Sequence, residues 1–356
     1  MRKIFIISFV FLFVNLLQAQ DPTFTAFQMQ RLELSPAYGG SGGVGKVFLS
    51  GATRTSYYPV RGPFKYSSFS IDASPCKPGS IGVGLLFNSE SQGDGFYKRN
   101  RVGLNLGYNI LTGKHSTLSF GIRPGIVTQS IDWNEFTFSD QLHPINGIIY
   151  TSVNHGAALD LSHAINWDWG LKFSSYRPYK LKYMIGISAF NFFQPQIGIL
   201  SRHQLQRRLS LIGALIWDKR NITYKVNFRS EYQSGFNYSA GNVEIIYNNV
   251  LRIVPGLKIP MFNTNTYRNN LFPSLMVGYQ INPLVMGYIS YENNVMGEII
   301  RGKTSSFEIG IALNTESTFC DRNNRIKDLF KFKDKKVSSP LGCPSMGNLK
   351  GKIQSF

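Results

Sequence analysis

From Val102 the chain reads VGLNLGYNI, in which Val102, Leu104, Leu106, Tyr108 and Ile110 share one parity and Gly103, Asn105, Gly107 and Asn109 the other. A two-residue period is the mark of a β-strand with unlike faces, because successive side chains point to opposite sides. The period returns in NITYKVNFRSE, where Ile222, Tyr224, Val226 and Phe228 oppose Thr223, Lys225, Asn227 and Arg229. It returns again in SFEIGIALN, where Phe307, Ile309, Ile311 and Leu313 oppose Glu308, Gly310 and Ala312. Followed along the chain, the pattern predicts fourteen strands: Gly43–Arg54, Phe64–Ser74, Gly79–Ser89, Arg99–Leu111, His115–Thr128, Asn154–Phe173, Lys180–Asn191, Gln206–Asp218, Asn221–Glu231, Asn237–Asn248, Leu251–Ile259, Leu271–Ile281, Leu284–Asn293 and Thr304–Asn314.

Alternation alone fits a soluble sandwich as well as a membrane barrel. The links between strands separate the two. Tight links at Cys76, Thr112, Lys219, Asn249 and Asn282 follow even-numbered strands, and wide ones such as 129–153 and 192–205 follow odd ones. Outer-membrane barrels sort their connections this way, with short turns in the periplasm and longer loops outside, whereas a sandwich has no reason to. The fold expected is therefore an all-β, transmembrane antiparallel barrel of the outer membrane, with both chain ends on the periplasmic side. Past the first twenty residues no apolar run approaches the ~18 residues of a spanning helix, which leaves a barrel as the only membrane architecture on offer.

The start of the chain has its own organisation. Met1-Arg2-Lys3 followed by the apolar stretch Ile4 to Leu17 reads as a signal peptide covering 1–19, with cleavage before Gln20. The barrel is assigned to 43–314 and a basic periplasmic tail to 315–356, which leaves 20–42 as a segment of different character. That segment carries Phe24, Phe27, Met29, Leu32, Leu34 and Tyr38. It is either a solvated lead, as chain ends often are, or a plug inserted in the lumen; its apolar content favours the plug. Gly39 to Gly45 would let the chain turn sharply into the first strand.

Composition sharpens the picture without naming a chemistry. Only 16% of residues are charged and 14% are aromatic, against roughly 25% charged in soluble domains. The formal net charge is +18, which in an exported barrel suits an acidic partner, lipid headgroups or simply a polar lumen, and implies no nucleic acid. Among the five histidines only the Ser152, His155, Asp160, His163 neighbourhood suggests a hydrolase, and it lacks an elbow motif. No histidine, cysteine or carboxylate pairs show metal-site spacing, so no enzyme activity, metal or cofactor is expected.

The segment QDPTFTAFQMQRLELSPAYGG resembles the opening of the PorP/SprF family of Bacteroidota outer-membrane proteins, through Gln20, Asp21, Pro22, Phe24, Pro36, Ala37 and Gly40. Ser35, Arg31 and Glu33 depart from that pattern, standing where Asn, Pro and an aromatic are usual. FSDQLHP from Phe138, GISAFNFFQP from Gly186 and FEIGIALN from Phe307 extend the resemblance along the chain. It implies a non-enzymatic barrel serving type IX secretion and gliding, linked either to a secreted adhesin or other exported domain, or to periplasmic and outer-membrane subunits of the machine. A general porin or small-solute transport barrel is the competing reading. For partner contact from outside, the loops after odd strands offer Tyr57, Tyr58, Arg61, Phe64, Phe96, Tyr97 and Arg99, residue types that dominate binding hot spots but also build aromatic belts at the lipid interface.

The tail from Glu316 holds nine Lys or Arg against four acids, with Arg322, Arg325 and Lys327 as candidate contacts for a periplasmic partner. In an oxidising compartment Cys320 and Cys343 are the favoured disulfide, with Cys76 to one tail cysteine as the rival. The loop between the tail cysteines holds roughly 22 residues, and closing it is worth about 3 kcal/mol in the chain-entropy model. Non-reducing peptide mapping is expected to recover a Cys320–Cys343 linked peptide; a Cys76-linked peptide rejects this pairing.

Overall fold

A computed structural model of the chain describes residues 21–41, 45–58, 62–74, 81–93, 97–113, 115–133, 136, 141–143, 147–148, 161–176, 181–199, 203–219, 221–234, 236–262, 271–293, 295 and 305–315. Among them the alternating segments form fourteen strands: β1 Val47–Tyr58, β2 Phe64–Ala73, β3 Ile81–Gln92, β4 Tyr97–Gly113, β5 Ser116–Ile131, β6 Leu161–Ser175 and β7 Lys182–Phe190, followed by β8 Arg208–Asp218, β9 Ile222–Gln233, β10 Phe236–Tyr247, β11 Leu251–Phe262, β12 Phe272–Gln280, β13 Val285–Glu292 and β14 Ser305–Asn314. Each pairs antiparallel with its sequence neighbours, and β1 pairs with β14 from Phe48↔Asn314 to Tyr58↔Ser305, closing the barrel. Closure satisfies every strand edge, the condition for crossing a hydrocarbon layer with β-structure. No helix among the described residues is long and apolar enough to cross a membrane.

The two parities of the sequence take opposite sides of the wall. Leu104, Tyr108, Val226, Phe228, Ile309 and Ile311 are exposed on the outside, whereas Asn105, Asn109, Asn227, Arg229 and Glu308 are buried inside. Outward aromatics gather at both ends of the strands. Tyr183, Trp217, Tyr247 and Tyr279 mark one end and Tyr57, Tyr232 and Tyr291 the other, all exposed. Two such girdles flank the apolar band of outer-membrane barrels.

Turn chemistry explains several tight links. Asn248 and Asn249 take positive φ values of 49° and 58° between β10 and β11, a conformation asparagine tolerates better than most residues. Between β12 and β13 the Asn282 side chain accepts hydrogen bonds from the Leu284 and Val285 amides at 3.0 and 2.9 Å, an Asx-type turn. The sorting of links has one exception: β9 and β10 stay paired at the wide-link end as far as Gln233 opposite Phe236. Two short ladders lie outside the barrel order, Leu142–His143 with Gly147–Ile148 and Gln196–Ile197 with His203–Gln204. β1 starts four residues later than the pattern indicated, because the chain is still turning at Gly45, whose φ is 61°.

The outward face is expected to reject charge according to depth. Ile309→Arg, in the middle of β14, should destabilise the barrel by about 2–4 kcal/mol in urea titrations of vesicle-folded protein.

Candidate functional site

The lumen is filled by the chain's own N-terminal segment. Residues 21–41 run down the inside of the barrel with almost every side chain buried, including Phe24, Met29, Leu32, Leu34, Ala37 and Tyr38. Local structure is a chain of single turns: Phe27–Met29 and Pro36–Tyr38 are 3-10 turns and Arg31–Leu34 one turn of α-helix. Proline at the first position of the last turn suits a helical start. The Ser35 hydroxyl accepts from the Ala37 amide at 3.1 Å, the capping that an asparagine at this place would supply equally well.

The position of the segment decides between two expectations. The segment was expected to be either a periplasmic lead or a plug; it lies in the lumen, with Asp21 among the wide-link ends of the wall. Its amide donates to Gln233 at the end of β9, and its carboxylate meets Arg99 near the start of β4 and Arg208 at the start of β8. The other end, at Gly40 and Ser41, touches Asn109 and Lys172 near the opposite rim. The segment therefore descends from the wide-link rim and β1 climbs back beside it.

A row of glycines makes room for it. Gly82 stands opposite Gly107, Gly107 opposite Gly121, and Gly121 opposite Gly170, so four adjacent strands carry a bare strip on their inner face. An added Cβ at Gly82 would overlap Gly40, at Gly107 the Gly39 carbonyl, at Gly121 Pro36, and at Gly170 the Ser35 hydroxyl. Flanking the strip, Asn105 and Asn109 donate side-chain hydrogen bonds to the carbonyls of Pro36 and Gly40 at 2.9 and 3.2 Å. Backbone that would otherwise be unpaired inside the barrel is thus satisfied by the wall.

At the seam the segment bridges the first and last strands. Glu308 of β14 accepts from the Thr25 and Ala26 amides at 2.8 and 3.3 Å, while Arg54 of β1 donates to the Thr23 carbonyl at 2.9 Å and the Thr25 hydroxyl at 2.7 Å. Arg54 also pairs with Glu292 of β13 at 2.7 Å. Phe24, Met29, Phe48, Tyr66, Met276, Met286 and Tyr288 pack together beside this clamp.

Elsewhere the lumen is a lattice of charge. Arg123 binds Asp168 at 2.8 Å with both side chains 1% exposed, and also donates to the Leu32 carbonyl at 2.6 Å. Arg31 stacks on Phe48, its guanidinium carbon 4.5 Å from the ring centre, and Lys172 lies 4.3 Å over Tyr38. Glu33 accepts from Asn88 at 2.6 Å and faces Arg208 at 3.6 Å. Burial on its own would raise the Asp21 carboxyl, but the surrounding Arg99, Arg208 and Arg101 outweigh it and hold that carboxyl well below the usual carboxylate range.

The residues singled out from sequence divide. Asp21, Pro22, Phe24, Pro36, Ala37 and Gly40 all fall on the plug, where Gly40 takes a φ of 66°. Of the outer platform, Tyr57 faces outward and is 51% exposed. Phe64 points inward against the Phe24 cluster, and Arg99 is paired in the lumen with Asp21 and Glu90. Their parity carried the signal: stepping by two from Arg101 or Tyr66 places Arg99 and Phe64 on the lumen side. The Tyr58 side chain, Arg61, Phe96, Cys76, Cys320, Cys343, Arg322, Arg325 and Lys327 lie outside the described residues, as does the signal segment 1–19. His163 is exposed on the outer face of β6, and Ser152, His155 and Asp160 are outside the described residues. Among the described residues there is no group of three or more His, Cys, Asp or Glu that could hold a metal.

A closed fourteen-strand wall with an apolar exterior, aromatic girdles and a polar interior defines an integral outer-membrane β-barrel, here with its lumen occupied by the chain itself. The profile of the family described as type IX secretion system membrane protein PorP/SprF matches residues 16–313, and the protein belongs to that family. It is thus an outer-membrane component of type IX secretion. No curated relative matches the chain. Solved structures that resemble it include the Ralstonia pickettii toluene transporter TbuX, at 9% identity and a TM-score of 0.48 over 80% of this chain and 92% of that one. The CymD monoaromatic hydrocarbon channel is similar at 11% identity and a TM-score of 0.47, over 80% and 91%. The Acinetobacter baumannii protein Omp33 is similar at 6% identity and 0.40, over 77% and 99%.

The glycine strip is expected to be obligatory for plug seating. Gly121→Val sets a branched side chain against Pro36 and should cost at least about 1–3 kcal/mol by overpacking. Limited trypsinolysis of the folded barrel should then cut at Arg31, which is protected in the wild type. Gly213→Ala, whose new methyl would find its first neighbour 3.7 Å away, should leave the pattern unchanged.

Proposed function

We propose that the protein is a non-enzymatic anchor of the type IX machinery, one that binds an exported adhesin or other substrate domain on its outer side and secretion-machine subunits on its periplasmic side, in support of gliding where the machine drives it. The observation that carries this reading is the occupied lumen. A diffusion channel needs a continuous polar, water-filled passage. Here the passage is taken by residues 21–41, which are clamped at the seam and paired along the wall. The solute-transport reading gives no role to the seam clamp at residues 23–26 or to the glycine strip that seats residues 35–40.

On this reading the outer contact surface is built around Tyr57 with Tyr58, Arg61, Phe96 and Tyr97, and the periplasmic contact runs through Arg322, Arg325 and Lys327. Arg99 and Phe64 serve the plug instead.

Affinity isolation from native membranes should recover an exported partner or machine subunits with the barrel. Planar-bilayer conductance of the purified protein should be small, and deletion of Thr23 to Tyr38 should raise it. A large, steady conductance from the intact chain, with no protein co-isolated, would replace anchoring by transport.

A further inference from the structure

Where the plug begins, three guanidinium groups, two from β4 and one from β8, converge on one carboxylate. Arg99 Nη2 binds Asp21 Oδ1 at 2.9 Å, while Arg101 Nη2 and Arg208 Nη1 each stand 3.9 Å from Oδ2. The set is loosely filled. Among the described residues Oδ2 of Asp21 accepts no hydrogen bond, and neither Nε nor Nη2 of Arg208 donates one, although the Arg208 side chain is 2% exposed. Arg208 is held in place all the same, 4.1 Å over the Phe190 ring and 3.6 Å from Glu33. Arg101 is fixed by a 3.1 Å bond to Asn191 and Arg99 by Glu90. The guanidiniums are therefore preorganised by the wall, and their forks have capacity for bidentate carboxylate contacts that the short Asp21 side chain leaves unused.

We propose that Arg99, Arg101 and Arg208 form a carboxylate-binding site at the outer mouth, in which Asp21 is the resident ligand and a carboxylate on an acidic polypeptide is the exchange ligand. The proposal rests on the anchoring reading only for the polypeptide; the site itself follows from the geometry. Exchange leaves the plug in place. Residues 23–26 are held independently by Arg54 and Glu308, so exchange at the arginines needs only the Asp21 side chain to leave, beside a half-buried Pro22 and an Asp21 amide bonded to Gln233. A tethered ligand competes at an effective concentration in the millimolar range, so the resident carboxylate keeps the site closed to dilute carboxylates and yields to one delivered by a partner docked alongside.

The test removes the resident ligand from the full-length barrel. Asp21→Ala should lower the thermal midpoint, and sodium acetate should restore it where sodium chloride of equal ionic strength does not; the wild type should respond to both salts alike. A fluorescent peptide bearing aspartates and an amidated C-terminus should bind Asp21→Ala at least about tenfold more tightly than wild type, because the tethered competitor is gone. Its all-asparagine counterpart with a free C-terminus reports whether a chain-terminal carboxylate serves instead. Asp21→Asn, which keeps the side-chain shape, secures both readouts if the alanine variant folds poorly. Acetate no better than chloride, with equal peptide affinity in variant and wild type, overturns the site. Acetate rescue together with an empty affinity isolation would leave the site standing and remove the anchoring reading.

Discussion

Charge brought inside a closed wall has to be matched there, and this barrel matches much of it with a segment that is not part of the wall. Removing one partner of a buried ion pair costs on the order of 3–5 kcal/mol, far more than the pair contributes as a whole. The wall contributes its own matched pairs, such as Arg123 with Asp168 and Arg252 with Glu244. At the outer mouth and the seam it does not close the account alone. Arg99, Arg101 and Arg208 share Asp21, Arg208 also faces Glu33, and the Glu308 carboxylate is met by plug amides. Withdrawing the plug would exchange these pairings for water in an opened lumen at several sites at once, so plug and wall behave as one electrostatic unit.

Shape follows the same dependence. A plug with regular helix could satisfy its own backbone, but residues 21–41 make only isolated turns and need partners for their remaining amides and carbonyls. The wall provides them through Asn105, Asn109, Arg54, Arg123 and Glu308, and it lets the backbone approach by carrying glycine at 82, 107, 121 and 170. Both features belong to the inner parity of the strands. The outer parity is free to serve the lipid, and is predominantly apolar and aromatic.

Much of this was legible in the sequence, and the misses have physical causes. Two-residue alternation located all fourteen strands, because lipid outside and polar lumen inside impose unlike faces on every one. The same alternation hid the purpose of Gly103 and Gly107, which read simply as the non-apolar side of VGLNLGYNI. Gly107 is in fact a floor for the plug, visible only once its register with Gly82 and Gly121 is known. Arg99 and Phe64 were assigned to outer loops because strand ends are the weakest part of a periodic signal; extending the parity one step further places them inside. The descent of the plug from the outer mouth had no sequence signal, since an irregular segment has no period and its partners lie as far away as Gln233 and Glu308. The link sorting suggested the barrel's orientation, yet the pairing of Gln233 with Phe236 shows that a wide loop is permitted, not required, at the wide-link end.

The direction of the plug constrains how the molecule can be assembled. Its polar contacts come from β1 and from β3 through β14, so no partly built sheet offers the full site. Arg54 and Glu308 face each other across the β1–β14 pairing, the last one a sequentially formed barrel makes, and both are tied to residues 23–26. Seating the plug thus strengthens the closing seam, and closing the seam completes the plug's site: the two steps are cooperative because they share the same charged side chains.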